Sequence, residues 1–183
     1  MVNAVELVRQ RLLRAAAALK AHNVNYAVIG GNAVAAWVAT VDETAVRNTQ
    51  DVDILLRRSD LPAARSAFEA AGFVRHNVMG VDLFLDGPTS KPGQAVHVVF
   101  ANEVVKPGEP ATNPDVTDFK DMGAFRVLSL EAIVRLQLSS MTPESGMLLR
   151  DMIGVGLVDH SWNAKLPPIL AARLQMLLDT PDG

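Results

Sequence analysis

Asp51 and Asp53 stand one residue apart in the segment Arg47-Asn48-Thr49-Gln50-Asp51-Val52-Asp53-Ile54-Leu55-Leu56, where a polar stretch gives way to an apolar run. An ionised carboxylate taken out of water costs about several kcal/mol unless a cation or a dense set of hydrogen bonds compensates it. On an extended chain, side chains two residues apart share a face, so both carboxylates converge while Val52 and Ile54 turn the other way. The pattern predicts a metal-holding pair. Upstream, Gly30-Gly31 closes the apolar run at residues 26–29. Glycines there let the backbone approach a ligand closely, and the helix that follows offers free N–H groups suited to a phosphate. Taken alone, the glycine pair reads as a chain reversal. Followed by two carboxylates, it fits a site in which a divalent ion lies between carboxylate and phosphate.

Other residues extend this set without defining it. Arg47 is a candidate for neutralising phosphate charge through its planar guanidinium, or an ordinary loop arginine. Thr49 reads as a loop-supporting hydroxyl. His97, in Ala95-Val96-His97-Val98-Val99-Phe100, is either a hydrogen-bonded core histidine or a metal ligand or general base. Asp82, on the alternating stretch Val81-Asp82-Leu83-Phe84-Leu85, is a substitute carboxylate for the metal or an exposed edge residue. Trp37 and Trp162 read as packing residues, since neither is interleaved with basic residues. His22, His76 and His160 have no ligand spacing.

The elements that must hold these groups follow from periodicity and punctuation. Val5, Val8, Leu12, Ala15, Ala16 and Leu19 fall at helical spacing with Arg11, Arg14 and Lys20 off the stripe, predicting a first helix ending near His22-Asn23. A short strand at residues 26–29, the glycine pair and a small-residue helix from Asn32 to Val38 come next. A strand opens at Asp51; Ser59, Asp60 and Pro62 mark a capped helix over residues 63–71, closed by Gly72. Strands are predicted at residues 81–86 and 95–100, then a Pro- and Gly-rich loop over 106–121 and a short strand at 125–128. Ser129 caps a helix to Leu138, Thr142-Pro143 starts one through Leu157, and Pro167-Pro168 a last one to Leu178, with Pro181-Asp182-Gly183 as a tail. The expected class is α/β (α+β): a short mixed β-sheet flanked by helices. A core with its N-terminal helix spans 1–128, and a C-terminal helical section packed on it spans 129–183.

The order Val28-Ile29-Gly30-Gly31-Asn32-Ala33, then Arg47-x-Thr49-x-Asp51-x-Asp53, resembles the nucleotidyltransferase superfamily with the DNA polymerase beta-like fold. It is most similar to the small bacterial nucleotidyltransferases and abortive-infection-type toxins. The likeness covers residues 25 to 101 and includes Gly72-Phe73; Leu128-Ser129-Leu130-Glu131-Ala132 and Leu149-Arg150-Asp151-Met152-Ile153 look like the helical segments further on. The resemblance implies a transferase that moves a nucleoside monophosphate from a nucleoside triphosphate to an acceptor hydroxyl. Asp51 and Asp53 would hold Mg2+ (or Mn2+), Gly30, Gly31, Asn32, Arg47 and Thr49 would bind the nucleotide, and Arg150 would face it. A third carboxylate is expected on a later strand, where this chain has His97; His97 therefore joins Asp51 and Asp53 as a catalytic candidate, and Asp82 joins them as a metal candidate. The acceptor would be a tRNA, a protein or a small molecule, and two other outcomes stay open: a degenerate nucleotide-binding or regulatory protein, or a toxin of a toxin–antitoxin pair that modifies a tRNA or protein. An antitoxin or a second copy of the chain would be the protein partner.

Composition narrows the classes further. The 183 residues are 49% apolar, enough for a real core, and the net charge of −3 with pI near 5.8 gives no general drive toward DNA or an anionic membrane. The absence of Cys removes thiolate metal sites, disulfides and cysteine nucleophiles. Glu6, Arg9, Arg11 and Arg14 break the N-terminal region, which has neither signal-peptide nor spanning character, so a cytoplasmic location is expected.

Overall fold

The computed structural model describes residues 3–181, so the predicted tail beyond Pro181 lies outside the described residues. Helices are α1 (Ala4–Ala21), α2 (Gly30–Ala39), α3 (Leu61–Ala70), α4 (Leu130–Ser140), α5 (Pro143–Gly154) and α6 (Pro168–Asp179). Strands are β1 (Ala27–Ile29), β2 (Val52–Leu56), β3 (Val74–Val78), β4 (Val81–Leu85), β5 (Ala95–Phe100), β6 (Phe119–Asp121) and β7 (Arg126–Leu128). They form one mixed sheet in the order β3-β4-β5-β2-β1-β7-β6, with β2–β5 and β1–β7 parallel and the other pairs antiparallel. A mixed α/β architecture is thus present as expected.

Register decides which side chains meet. Asp53 pairs with His97 across β2–β5 and with Ile29 across β1–β2, so these three share one face. Val52, Ile54 and Leu56 alternate to the other face with Val96 and Phe84, where Phe68 of α3 packs 4.6 Å from the Phe84 ring. All five apolar residues of that face are fully buried, so β2 cannot slip by one residue without turning Asp53 into the core.

Three helix starts follow side-chain capping chemistry, and two readings of the sequence, at Asp60 and Arg11, are corrected. Asn3, Ser129 and Thr142 accept from the backbone N–H groups of Glu6, Ala132 and Ser145, fixing α1, α4 and α5. Asp60 does not cap α3 with its side chain; Pro62 in the first turn sets that start instead. Arg11, read as lying off the apolar stripe of α1, is buried: it donates to the Gln50 carbonyl at 2.9 Å and to Asp86, which Arg14 also contacts. α1 therefore anchors the backbone one residue before Asp51. Two strands lay outside the sequence expectation. β3 is exposed along its whole length and β6 has three residues, so neither carries an inside–outside alternation.

Candidate active site

Asp53 leaves β2 toward a backbone that only glycine can provide. Gly30 has φ +66°, and a Cβ on it would overlap the Asp53 Oδ2 atom. Gly31 serves a different neighbour: its Cβ would fall 2.9 Å from Thr49 Cβ. The Thr49 hydroxyl donates to Asp51 Oδ1 at 3.0 Å, and the Asn32 amide donates to the Asp51 carbonyl at 2.7 Å. Thr49 and Asn32 thus hold the Asp51 segment in place, one by its carboxylate and the other by its backbone. The N-cap of α2 is Ile29, which makes no side-chain cap, so the first-turn amides of Gly30-Gly31-Asn32 are not taken up by a capping side chain.

His97 completes the cluster. Its Nδ1 lies 3.6 Å from Asp51 Oδ2 and 3.5 Å from Asp53 Oδ1, and its Nε2 lies 3.1 Å from the Pro92 carbonyl. A carbonyl accepts only, so Nε2 carries a hydrogen; Nδ1 then meets the two carboxylates with a second N–H in the imidazolium, the form they favour, or with a lone pair in the neutral ring, the form a cation would bind. The three side chains offer ligand atoms all within 4.8 Å of one another. Among the described residues no Arg or Lys forms an ion pair with Asp51 or Asp53. Burial raises the Asp53 carboxyl above its ordinary range and the Asp51 charge adds to this, with His97 opposing; the contact with Asp53 in turn raises His97. Two aspartates and an imidazole, converging with no Arg or Lys paired to them, fit a divalent cation.

The remaining sequence candidates divide. Arg47 lines a cavity with Gly31 and Thr49, but its guanidinium is engaged in a bidentate pair with Asp151 of α5, at 2.9 and 2.8 Å. Arg150 is not brought to the site. It donates to the Thr180 carbonyl at the end of α6, because one step along a helix turns about 100° and the adjacent Asp151 takes the inward direction. Asp82 is also displaced from the metal set. Leu83 pairs with His97, so Asp82 points through the opposite face, where Arg75 donates to it at 2.8 Å. Glu144, exposed in the first turn of α5, was not singled out in the sequence. It lines a cavity of about 120 Å³ with Gly31, Arg47, Thr49 and Asp151. A larger cavity of about 420 Å³, between the end of α1 and the β6–β7 turn, contains none of these residues.

No protein-family model and no curated protein matches the sequence. Solved structures do match, and they show that the chain has the nucleotidyltransferase fold. One is an antigenic nucleotidyltransferase-like protein from Paracoccidioides brasiliensis, 17% identical, covering 97% of this chain and 89% of that one at a TM-score of 0.61. Another is the antibiotic-resistance factor ANT(2'')-Ia, whose solution structure is 16% identical and covers 94% of this chain and 92% of its own at 0.56. The same factor in complex with adenylyl-2''-tobramycin is 17% identical, with coverages of 93% and 98% and a TM-score of 0.55.

Proposed function

We propose that the chain is a metal-dependent nucleotidyltransferase that moves a nucleoside monophosphate from a nucleoside triphosphate to an acceptor hydroxyl. The observation that carries this reading is the convergence of Asp51, Asp53 and His97 beside the uncapped start of α2, with no Arg or Lys paired to the two carboxylates. The fold supports it, and so does the adenylylated product held by one structural neighbour, which favours a small hydroxyl-bearing acceptor over tRNA or protein.

Each group has a part in an in-line displacement. Asp51, Asp53 and His97 would hold the ion, with Thr49 fixing the Asp51 carboxylate. The imidazole favours Mn2+ over Mg2+, which prefers oxygen donors alone. A bound divalent ion would offset charge on the α-phosphate and the entering oxygen. The Gly30 and Gly31 amides hold the leaving pyrophosphate at the positive end of α2, and Arg47 joins them when it exchanges Asp151 for a phosphate. On this reading the nucleotide lies between the sheet core, residues 1–128, and the helical section, residues 129–183, in a cytoplasmic protein.

A second reading is favoured by His97 itself. An imidazole in place of a third carboxylate leaves the cluster less anionic, as a nucleotide-binding module without transfer would be. Calorimetry with Mn2+ and a triphosphate, combined with a pyrophosphate-release assay, separates the two: a transferase binds and releases, a module only binds. Asp51→Asn and Asp53→Asn should abolish release and weaken Mn2+-dependent nucleotide binding; unchanged behaviour in both would overturn the transferase reading. Toxin action would use the same chemistry on tRNA or protein and would show as growth arrest relieved by a partner antitoxin. No described helix is long and apolar enough to cross a membrane.

A further inference from the structure

A buried guanidinium on α1 stands behind both sides of the cation cluster. Arg11 is only 5% exposed, at a place where an aliphatic side chain would pack without desolvating a charge. Its donors are divided between two acceptors. Nη1 donates to the Gln50 carbonyl at 2.9 Å, directly before Asp51, and Nε donates to Asp86 Oδ2 at 3.2 Å. Arg14 takes the other carboxylate oxygen, Oδ1. Asp86 is the first residue after β4 and opens the connection to β5. That connection is folded on itself: the Asp86 carbonyl accepts from Ser90 Oγ at 2.5 Å, the Gly87 carbonyl from Ser90 N at 3.3 Å, and the Lys91 carbonyl from Gln94 N at 2.8 Å. Within it, the Pro92 carbonyl meets His97 Nε2 at 3.1 Å. One side chain therefore reaches the backbone that delivers Asp51 and the loop that holds the His97 ring, 39 and 75 positions away in sequence. A guanidinium presents its donors in one rigid plane, so the two acceptors are kept in a fixed relation to each other.

We propose that Arg11 is a positioning residue for the cation centre, setting the Asp51 side against the His97 side by holding Gln50 and Asp86 on one fork. This rests on the reading of Asp51, Asp53 and His97 as a metal centre. Arg11 makes no hydrogen bond to any of the three. It acts through the Gln50 carbonyl on one side, and through Asp86 and the loop carrying the Pro92 carbonyl on the other. Without it, Asp53 and His97 keep their pairing across β2–β5, but the segment entering Asp51 and the orientation of the imidazole lose their common reference. The loss is one of alignment, not of a ligand. Removing the hydrogen-bonding support behind a metal ligand lowers affinity by about 10- to 100-fold.

The test is titration of the full chain with MnCl2 alone, read by calorimetry, by metal-free melting temperature and by the coupling of imidazole nitrogen to bound Mn2+ in pulsed electron paramagnetic resonance. Wild type is compared with Arg11→Met, Asp86→Asn, Leu12→Ala and Asp53→Asn. Leu12, buried on the same helix and outside these hydrogen bonds, is the stability control: Leu12→Ala should lower the melting temperature and leave Mn2+ affinity unchanged. Arg11→Met is expected to weaken Mn2+ binding about tenfold and to diminish the nitrogen coupling. Asp86→Asn, which leaves the Gln50 bond in place, should diminish the nitrogen coupling with a smaller loss of affinity. Arg11→Met and Leu12→Ala behaving alike in affinity and coupling would mark an arginine that only supports the fold, and would overturn the proposal. Where Arg11→Met does not fold, Asp86→Asn decides: wild-type coupling in that variant overturns the proposal as well. Wild-type Mn2+ binding by Asp53→Asn would instead overturn the metal centre itself, a failure distinct from that of Arg11.

Discussion

Aspartates lie beside the two ends of β2 in opposite electrostatic states. At its C-terminal end, Arg57 donates to Asp115 in a bidentate pair at 2.9 and 2.7 Å, and Asn102 and Thr117 donate at 3.0 and 2.7 Å. These donors, Arg57 foremost, hold the Asp115 carboxyl far below its ordinary value. At the N-terminal end, Asp53 faces Asp51, has only a histidine beside it, and is pushed upward by burial. Asp115 is a finished structural contact that pins the loop between β5 and β6 to the sheet. The Asp51–Asp53 pair is unfinished in protein alone, and an incoming cation is what balances it.

Substitution should separate the two ends cleanly. Asp53→Asn is expected to lower Mn2+ affinity on the order of a hundredfold or more, beyond the loss seen when a ligand merely loses its supporting partner. The same change should leave metal-free thermal stability equal or higher, because it removes a buried like charge; a drop in melting temperature would contradict the contrast. Gly30→Ala should destabilise by about 3 kcal/mol in urea unfolding, from a left-handed backbone and a clash with Asp53. Combining it with Asp53→Ala should recover part of that loss, which a double-mutant cycle measures.

Asp115→Asn reverses the pattern. It should cost about 2 kcal/mol of stability, since Arg57, Asn102 and Thr117 lose a charged acceptor, and should leave Mn2+ titrations unchanged. Thr49→Val is expected to weaken Mn2+ binding about tenfold by freeing the Asp51 carboxylate, with little effect on unfolding. The smallest effect is in acid. The folded-state pKa of Asp115 lies below its ordinary 3.8, so the unfolded chain takes up the proton first as pH falls. Its stabilisation is complete above about pH 4 and is lost as pH drops further through the folded value. Arg57→Met should weaken that acid-dependent stability, visible as a flatter slope of unfolding free energy below about pH 4.

How much of this could be read from sequence depended on how local the signal was. The glycine pair and the Asp51–Asp53 strand are short-range patterns, and the structure brings them together in the predicted order. His97 could be named but not placed, because its neighbour is set by a parallel pairing that spans β2 to β5. Asp82 went to the wrong face because alternation defines two faces without saying which one meets the partner strand. Arg150 missed by one residue, the smallest error that helical phase allows. Glu144 gave no signal at all: an acid in a first turn already has an ordinary purpose in complementing the helix dipole.

The Arg47–Asp151 clasp joins residues 104 positions apart. During synthesis the N-terminal part of a chain emerges and begins to fold first. Asp51, Asp53 and His97 can therefore be aligned as soon as β5 has left the ribosome, while Arg47 stays unclasped until α5 follows. β1 likewise waits for β7 to complete its parallel edge. A chain arrested between Phe100 and Pro143 would present its acidic pair with Arg47 still lacking its partner on α5.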